Sequence, residues 1–516
     1  MGSGSTEHFI LSRLAFGSDE AGRAALSRTG LKGWLREQLA PEDGDDPACR
    51  QRLAGIRLRI KYPEGKDWPA TDEARPLQWL EAPIEKLAAL HDPAKPVANP
   101  EKQRPRQEVA MATLVRAVYS RWQLREVLCD FWHNHFSVNA WDQAVGTALP
   151  VYDREAIRRH CLGNFRQMLE AVAQSPAMLW YLNNRTSRAG APNENYAREL
   201  FELHTLGRDA YLNGLYSRWR DVPGAREGAP AGYIDQDVYE AARAFTGWGM
   251  EDGSGLGGGQ HLPRSGRFAY VESWHDNYQK RILATEFDPY QPPLADGRKV
   301  LDLAAFHPAT ARHLARKLCI RLVSDNPPES LVASAARVWI EHRDRPDQIA
   351  RTVEHIALSR EFADSRGQKV KRPLELLASF VRATGIDFQP AEPLIHEMDA
   401  AGQRLFGWPT PTGHPDAADH WLGTNALRRR WTLVAGLAEN WWGTGPFDPL
   451  AAFEAKPTVG AFVDHWLARL HGAASPPVAA ALLNTAGFGP GQSINNPAIA
   501  RRLVAWAAMA PDFQVR

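Results

Sequence analysis

Apolar positions recur every three or four residues along most of the chain, the spacing of a helix that buries one face. The pattern is clear in "GRAALSRTGLKGWLREQLA", "VAMATLVRAVYSRWQLREVLCDFWHNHF", "REAIRRHCLGNFRQMLEAVAQSPAMLWYL" and "ATARHLARKLCIRLV". It continues through "PESLVASAARVWIEHRD", "DQIARTVEHIALSREF", "KRPLELLASFVRATG" and "TNALRRRWTLVAGLAENWW". Asp347 and Thr424 stand where caps would open two of these helices. Alternation at period two is scarce. Its best case is "GRFAYVESW", residues 266 to 274, which predicts a small hairpin and nothing larger. Strand and helix never alternate as a parallel sheet requires. The pattern predicts an all-α fold, one large multi-helix domain over residues 5–516 with at most a small β-hairpin.

Three stretches interrupt the helical period. Residues 91–107 are proline-rich and charged, 207–233 are irregular and Gly/Pro-bearing, and 247–266 form a glycine loop. Long structureless loops in a compact domain are usually functional or disordered. The last two flank the segment with Asp237 and Arg243 and so would border a cleft. No linker or internal repeat is visible; a division, if any, gives two helical lobes, 5–300 and 301–516.

Composition narrows the class. With 516 residues, 44% of them hydrophobic and a formal net charge of +1, the chain reads as a soluble globular protein with no electrostatic case for nucleic acid or an anionic membrane. The run Arg428, Arg429 and Arg430 fits a solvated helix face. Cys49, Cys129, Cys161 and Cys319 are scattered with no C-x-x-C, which predicts buried free thiols and leans towards a reducing compartment. No apolar run is long enough to cross a bilayer. The start "MGSGSTEHFILSRLAFG" lacks a signal-peptide pattern, so the chain as written reads as cytoplasmic. Its opening Gly-Ser resembles an appended segment, and periplasmic export stays open. The 18 tryptophans suit either sugar-stacking platforms or helix packing.

One stretch asks for more than packing. In "NENYARELFELHTLG", residues 193 to 207, a 100° step places Asn195, Arg198, Glu199 and Glu202 on one polar face. Two carboxylates held that close raise at least one pKa, as a general acid needs, unless Arg198 clamps one of them. In "LREVLCDFWHNHFSVN", Glu126, Asp130 and His133 share a polar face, while His135 continues the apolar row. Asp130-x-x-His133 with Glu199-x-x-Glu202 loosely evokes a carboxylate-bridged divalent metal site in a helical bundle, though paired Glu-x-x-His motifs are missing. The bland alternative is an inter-helix hydrogen-bond network with His135 in the core. His414, Asp416, Asp419 and His420 are dense potential ligands, but they also fit a polar loop in which Asp416 caps the turn before Trp421. The G-x-G-x-x-G match at Gly253, Gly255 and Gly258 has no strand before it or helix after it to seat a phosphate.

Taken in order, "HFILSRLAFG", "FWHNHFSV", "NENYARELFELHTLG", "DVYEAARAFTGW", "HDNYQK", "HPATARHLARKLCIRLVSDNPP", "KRPLELLASFVRATG" and "AGQRLFGWPTPTG" resemble the bacterial family called domain of unknown function 1800, over nearly the whole chain. The resemblance implies a helical protein whose gene often neighbours one for a phosphatase- or sulfatase-like protein, and it supplies no reaction. Positions matching the family pattern are His135, Asn195, Arg198, Glu199, Glu202, Asp237, Arg243, Thr246, Trp248, His275, Asp276 and Lys280, with His133 and His204. His414 and His420 depart from it, and 208–232 is longer than the family's usual turn. The expectation is a cleft in which Glu199, Glu202, Arg198, His135 and Asp237 are catalytic. Asn195, Arg243, Trp248, His275, Asp276 and Lys280 would bind substrate there. The activity expected is hydrolytic or metal-assisted, on a polymer or glycan. Competing readings are a binding or maturation partner of the neighbouring phosphatase/sulfatase-like protein, and an oxidative metalloenzyme.

Overall fold

The computed structural model describes residues 5–516; the opening residues read above as an appended segment lie mostly outside that range. Among the described residues 56% are helical, in 23 α-helices, and 7% lie in short antiparallel strand pairs. No helix among the described residues is long and apolar enough to cross a membrane. The fold is mostly helical with small hairpins, and there is more strand than the single hairpin expected. Phe268–Tyr270 does form a strand and pairs with Trp248–Met250. Three further pairs join Arg57–Tyr62 to Thr71–Pro76, Gly255–Gly257 to Gln260–His261, and Lys280–Ile282 to Thr285–Phe287. The first escaped sequence reading because only one of its strands has an inward face: Leu58 and Ile60 are buried, whereas "TDEARP" has no buried residue.

The expected loop 91–107 is also shorter than its composition suggests. A helix runs from Asn99 to Tyr119 with Pro100 in its first turn, where a proline is tolerated, and with Pro105 inside it. An interior proline normally breaks a helix. Here tertiary contacts prevail: Arg104 pairs with Glu108 at 3.0 Å and donates to the carbonyls of Leu58, Arg75 and Pro76, tying the helix to the first hairpin. Residues 207–233 remain irregular, a chain of 3₁₀ turns such as Arg208–Ala210 and Trp219–Asp221.

Buried apolar side chains from Phe9 to Phe513 form one cluster, so segments far apart in sequence share a core. Arg13 shows how they are joined. Its fully buried guanidinium donates to the carbonyls of Leu322 (3.0 Å), Val323, Ser365 (2.8 Å) and Arg516 (2.6 Å). All four cysteines are free and buried.

Candidate functional site

The motif 193–207 begins as a helix, Glu194–Glu199, and then widens into a π-helix, Leu200–His204. A wider turn advances each residue by less than 100°, so the face drawn for residues 195–202 does not hold past Leu200. Glu202 turns outward to a 2.6 Å pair with exposed Arg208. Arg198 reaches back to Asp235 (3.3 Å) and Glu194 (3.5 Å). Glu199 has no hydrogen-bond partner among the described residues; burial, then the Glu202 charge, raises its pKa. Asn195 is exposed. No hydrogen bond among the described residues joins Glu199 or Glu202 to Arg198, His135, Asp237, Arg243 or His275.

A second group does converge. Arg243 grips Asp276 with two bonds of 2.9 and 3.0 Å and pairs with Glu240 at 2.6 Å. Lys280, fully enclosed, donates to Asp296 (2.7 Å) and to the carbonyls of Asp276 (2.5 Å) and Tyr278 (2.8 Å). His275 lies between Thr246 O (2.8 Å) and Asp296 (3.3 Å). Trp248 is buried edge-on against Phe245 and Phe268. Asp237 accepts from the backbone N–H of Ile234 (2.9 Å) and Leu283 (2.8 Å); burial pushes its pKa up to about 6. Leu283 and Ala284 form a two-residue hairpin turn at φ 47° and 59°, unfavourable for side-chain-bearing residues, and Asp237 anchors it. This group binds the segment 275–287 to the helix Asp235–Ala244.

His135 belongs to a third group. Its Nε2–H donates to His204 O at 3.1 Å, and His313 bonds Leu203 O at 3.3 Å, so both rings cap carbonyls at the end of the π-helix. Burial, then the Lys317 charge, holds His135 well below the usual histidine range and His204 at about 3. Burial likewise lowers Lys317 to about 8.

The cleft forms elsewhere, at the C-terminal end of the helix Gln123–His135. It holds a volume of about 50 Å³, lined by Glu126, Asp130, His133, Asp153, Arg158, Arg372 and His414, with Phe406 and Trp408 as aromatic walls. Three carboxylates thus face two guanidinium groups. Asp153 and Arg158 come from a second π-helix, Tyr152–Arg158. His133 Nε2 lies 2.9 Å from Asp153 Oδ1, while Arg158 (3.0 Å) and Arg116 (3.3 Å) hold Oδ2. Burial pushes the Asp153 carboxyl up, but Arg158, His133 and Arg116 outweigh it and hold the group well below the usual range. Glu126 pairs with Arg158 at 2.5 Å, and Asp130 pairs with Arg372 and with Arg321 (3.0 Å).

The opposite wall is the loop read above as a capping loop. Asn134 exchanges two bonds with the His414 backbone, 2.6 and 2.8 Å, and a Cβ on Gly413 (φ 71°) would lie 2.2 Å from Asn134 O. His414 therefore lines the cleft, and burial lowers its pKa to about 4. Asp416 does not cap the turn; it faces Arg372 at 4.0 Å. Phe406 adopts φ 53°, unusual for an aromatic residue, and sets its ring edge-on to His133 at 4.8 Å. Such strain persists where surrounding structure enforces it, often at functional sites.

A model of the family described as a protein of unknown function, DUF1800, matches residues 9–515. The chain belongs to that family. No curated protein and no solved structure matches it. In this DUF1800 protein, no three His, Cys, Asp or Glu side chains among the described residues are grouped to hold a metal, and the cleft carboxylates are occupied by arginines. The donor set does not fit a metal ion. Sequence reading singled out Asp130 and His133 but missed Asp153, Arg158 and Arg372, whose charges looked like the polar faces of ordinary helices.

Proposed function

We propose that the chain is a hydrolase whose proton-transfer unit is the His133–Asp153 dyad, acting on a hydroxyl-rich substrate such as a glycan. The observation that carries this reading is the 2.9 Å bond from His133 Nε2 to a carboxylate itself fixed by two arginines, on the wall of a cleft. Asp153 fixes the tautomer with the proton on Nε2 and leaves Nδ1 as the basic nitrogen, which has no hydrogen-bond partner among the described residues. His133 takes a proton from a water molecule as the water oxygen attacks the substrate, then returns it to the leaving oxygen. Arg372 lines the cleft and offers its positive charge to developing negative charge. Carboxylates, amides and the ring of Trp408 suit hydroxyl groups and a sugar face.

The test is turnover of chromogenic acetyl esters, glycosides and phosphomonoesters by wild type and His133→Gln. One ester or glycoside class should be hydrolysed and lost by about 10²–10⁴-fold in the variant, with the melting temperature nearly unchanged. Equal turnover in both proteins defeats the dyad. No turnover by wild type against any class, with unaltered folding in the variant, leaves the reading of a binding or maturation partner for a phosphatase/sulfatase-like protein.

A further inference from the structure

Lys317 takes part neither in the cleft nor in the charge networks around it. Its ammonium has no hydrogen-bond or ion-pair partner among the described residues. Contacts one turn away on each side fix where it sits. In the helix Pro308–Leu322, His313, Lys317 and Arg321 follow at four-residue intervals and share one face. Arg321 pairs with Asp130 at 3.0 Å, and the His313 ring lies 6.3 Å from the His135 ring. Asp130 and His135 both belong to the helix Gln123–His135, so Lys317 is turned towards that helix between them. The His204 ring, 6.2 Å from His135, completes the group. After burial, the Lys317 charge is the largest influence on each of the three rings. Lys317 and His313 are half-buried while His135 and His204 are fully buried, so solvent reaches the group from the lysine side.

The chemistry of the neighbours is unusual for a lysine. His135 and His313 each spend Nε2–H on a backbone carbonyl, which leaves a lone pair on Nδ1. His135 Nδ1 and both nitrogens of His204 are buried without a partner among the described residues. Buried polar atoms are rarely left so, and three beside an unpaired amine mark a place where a polar molecule would be bonded. The carboxylate that acts on Lys317 is Asp416, which makes no ion pair with it and faces Arg372 at 4.0 Å. Asp130 is held by Arg321 and Arg372, and Asp209, beyond His313, is exposed. With three neutral imidazoles around it and no carboxylate bound to it, the ammonium loses its proton to solvent readily; burial lowers its pKa to about 8. A desolvated lysine of this kind is a nucleophile. One His204 nitrogen carries the proton and is free to donate to an oxygen beside the amine.

We propose that Lys317 is the nucleophile of a second, covalent site that condenses with a small aldehyde, His204 donating to the aldehyde oxygen. The amine lone pair forms a C–N bond to the carbonyl carbon as the C–O π pair moves to oxygen. A proton passes from nitrogen to that oxygen, and loss of water leaves the imine. The probe is propanal with cyanoborohydride, applied to the full chain; reduction of the imine fixes a secondary amine that peptide mass spectrometry locates. At pH 7.5, Lys317 should be labelled about tenfold or more faster than exposed Lys66. Its rate should level off above about pH 8, whereas that of Lys66 keeps rising. His204→Phe should slow labelling of Lys317 by about tenfold or more and leave Lys66 unchanged. His204→Asn, which keeps a side-chain N–H and replaces the first variant if that one unfolds, should retain the fast rate. His133→Gln should label as wild type does, which separates this site from the hydrolytic cleft. Labelling of Lys317 no faster than of Lys66, or a rate indifferent to His204→Phe in the folded protein, or slow labelling in folded His204→Asn, overturns the assignment.

Discussion

Asp153→Asn tests whether the carboxylate beneath His133 is as firmly held as its surroundings indicate. The substitution keeps the shape of the side chain and removes a charge that is 7% exposed and touched by Arg158, Arg116 and His133. Breaking a buried ion pair by removing one partner costs roughly 3–5 kcal/mol. Here each arginine keeps another carboxylate, Arg158 with Glu126 and Arg116 with Asp45 at 2.8 Å, so neither charge is stranded. The low end, about 3 kcal/mol, follows. The pH dependence has a definite sign. A carboxyl whose folded pKa is depressed contributes stability that is complete above its unfolded value, about 4, and is lost as pH falls through the folded value. Urea unfolding should therefore show the same gap between wild type and variant at pH 7 and pH 5.5, and a shrinking gap below about pH 4. A gap under about 1 kcal/mol at pH 7, or one that widens towards acid, refutes the reasoning.

Lys280→Met should destabilise the protein by about 3–5 kcal/mol, because it strips Asp296 of its ammonium and two carbonyls of their donor; chemical unfolding checks it. Glu202→Gln should change stability by less than about 1 kcal/mol, since its partner Arg208 is exposed and solvated; a larger loss would show that the π-helix needs that pair. Asp237 has a raised folded pKa, so wild type should lose stability as pH rises from about 4 to about 6. Thermal melts of Asp237→Asn should lack that slope. Phe406→Ala should lower turnover with little change in fold, because the left-handed backbone is no longer needed to hold a ring against His133; unchanged turnover would detach Phe406 from the dyad.

The helices were legible because their buried stripes, as in the helix Gln348–Ala357, repeat at one period over two turns or more. Strand Thr71–Pro76 was not, since nothing in it is buried. Glu199 and Glu202 illustrate the limit at the site: a fixed 100° step cannot foresee a π-helix, and that change of pitch sends Glu202 to Arg208. The dyad was half visible. His133 stood out on its helix, but its partner comes from residue 153 and the facing wall from residues 403–414, and only tertiary packing makes them neighbours. His414, discounted as part of a polar loop, lines the cleft through a backbone approach that Gly413 alone permits.

The Arg13 anchor bears on how the chain is made. Its carbonyl partners lie 309 or more residues downstream. At elongation speeds of roughly 5–20 residues per second, the ribosome needs about 15 s or more to deliver Leu322 after Arg13 has emerged. Throughout that interval the helix Thr6–Leu14, with Phe9, Leu11 and Leu14, can rest only on the earlier helices Glu20–Gln38 and Gln123–His135. The helix Thr6–Leu14 is thus locked in place only when the second half of the chain arrives.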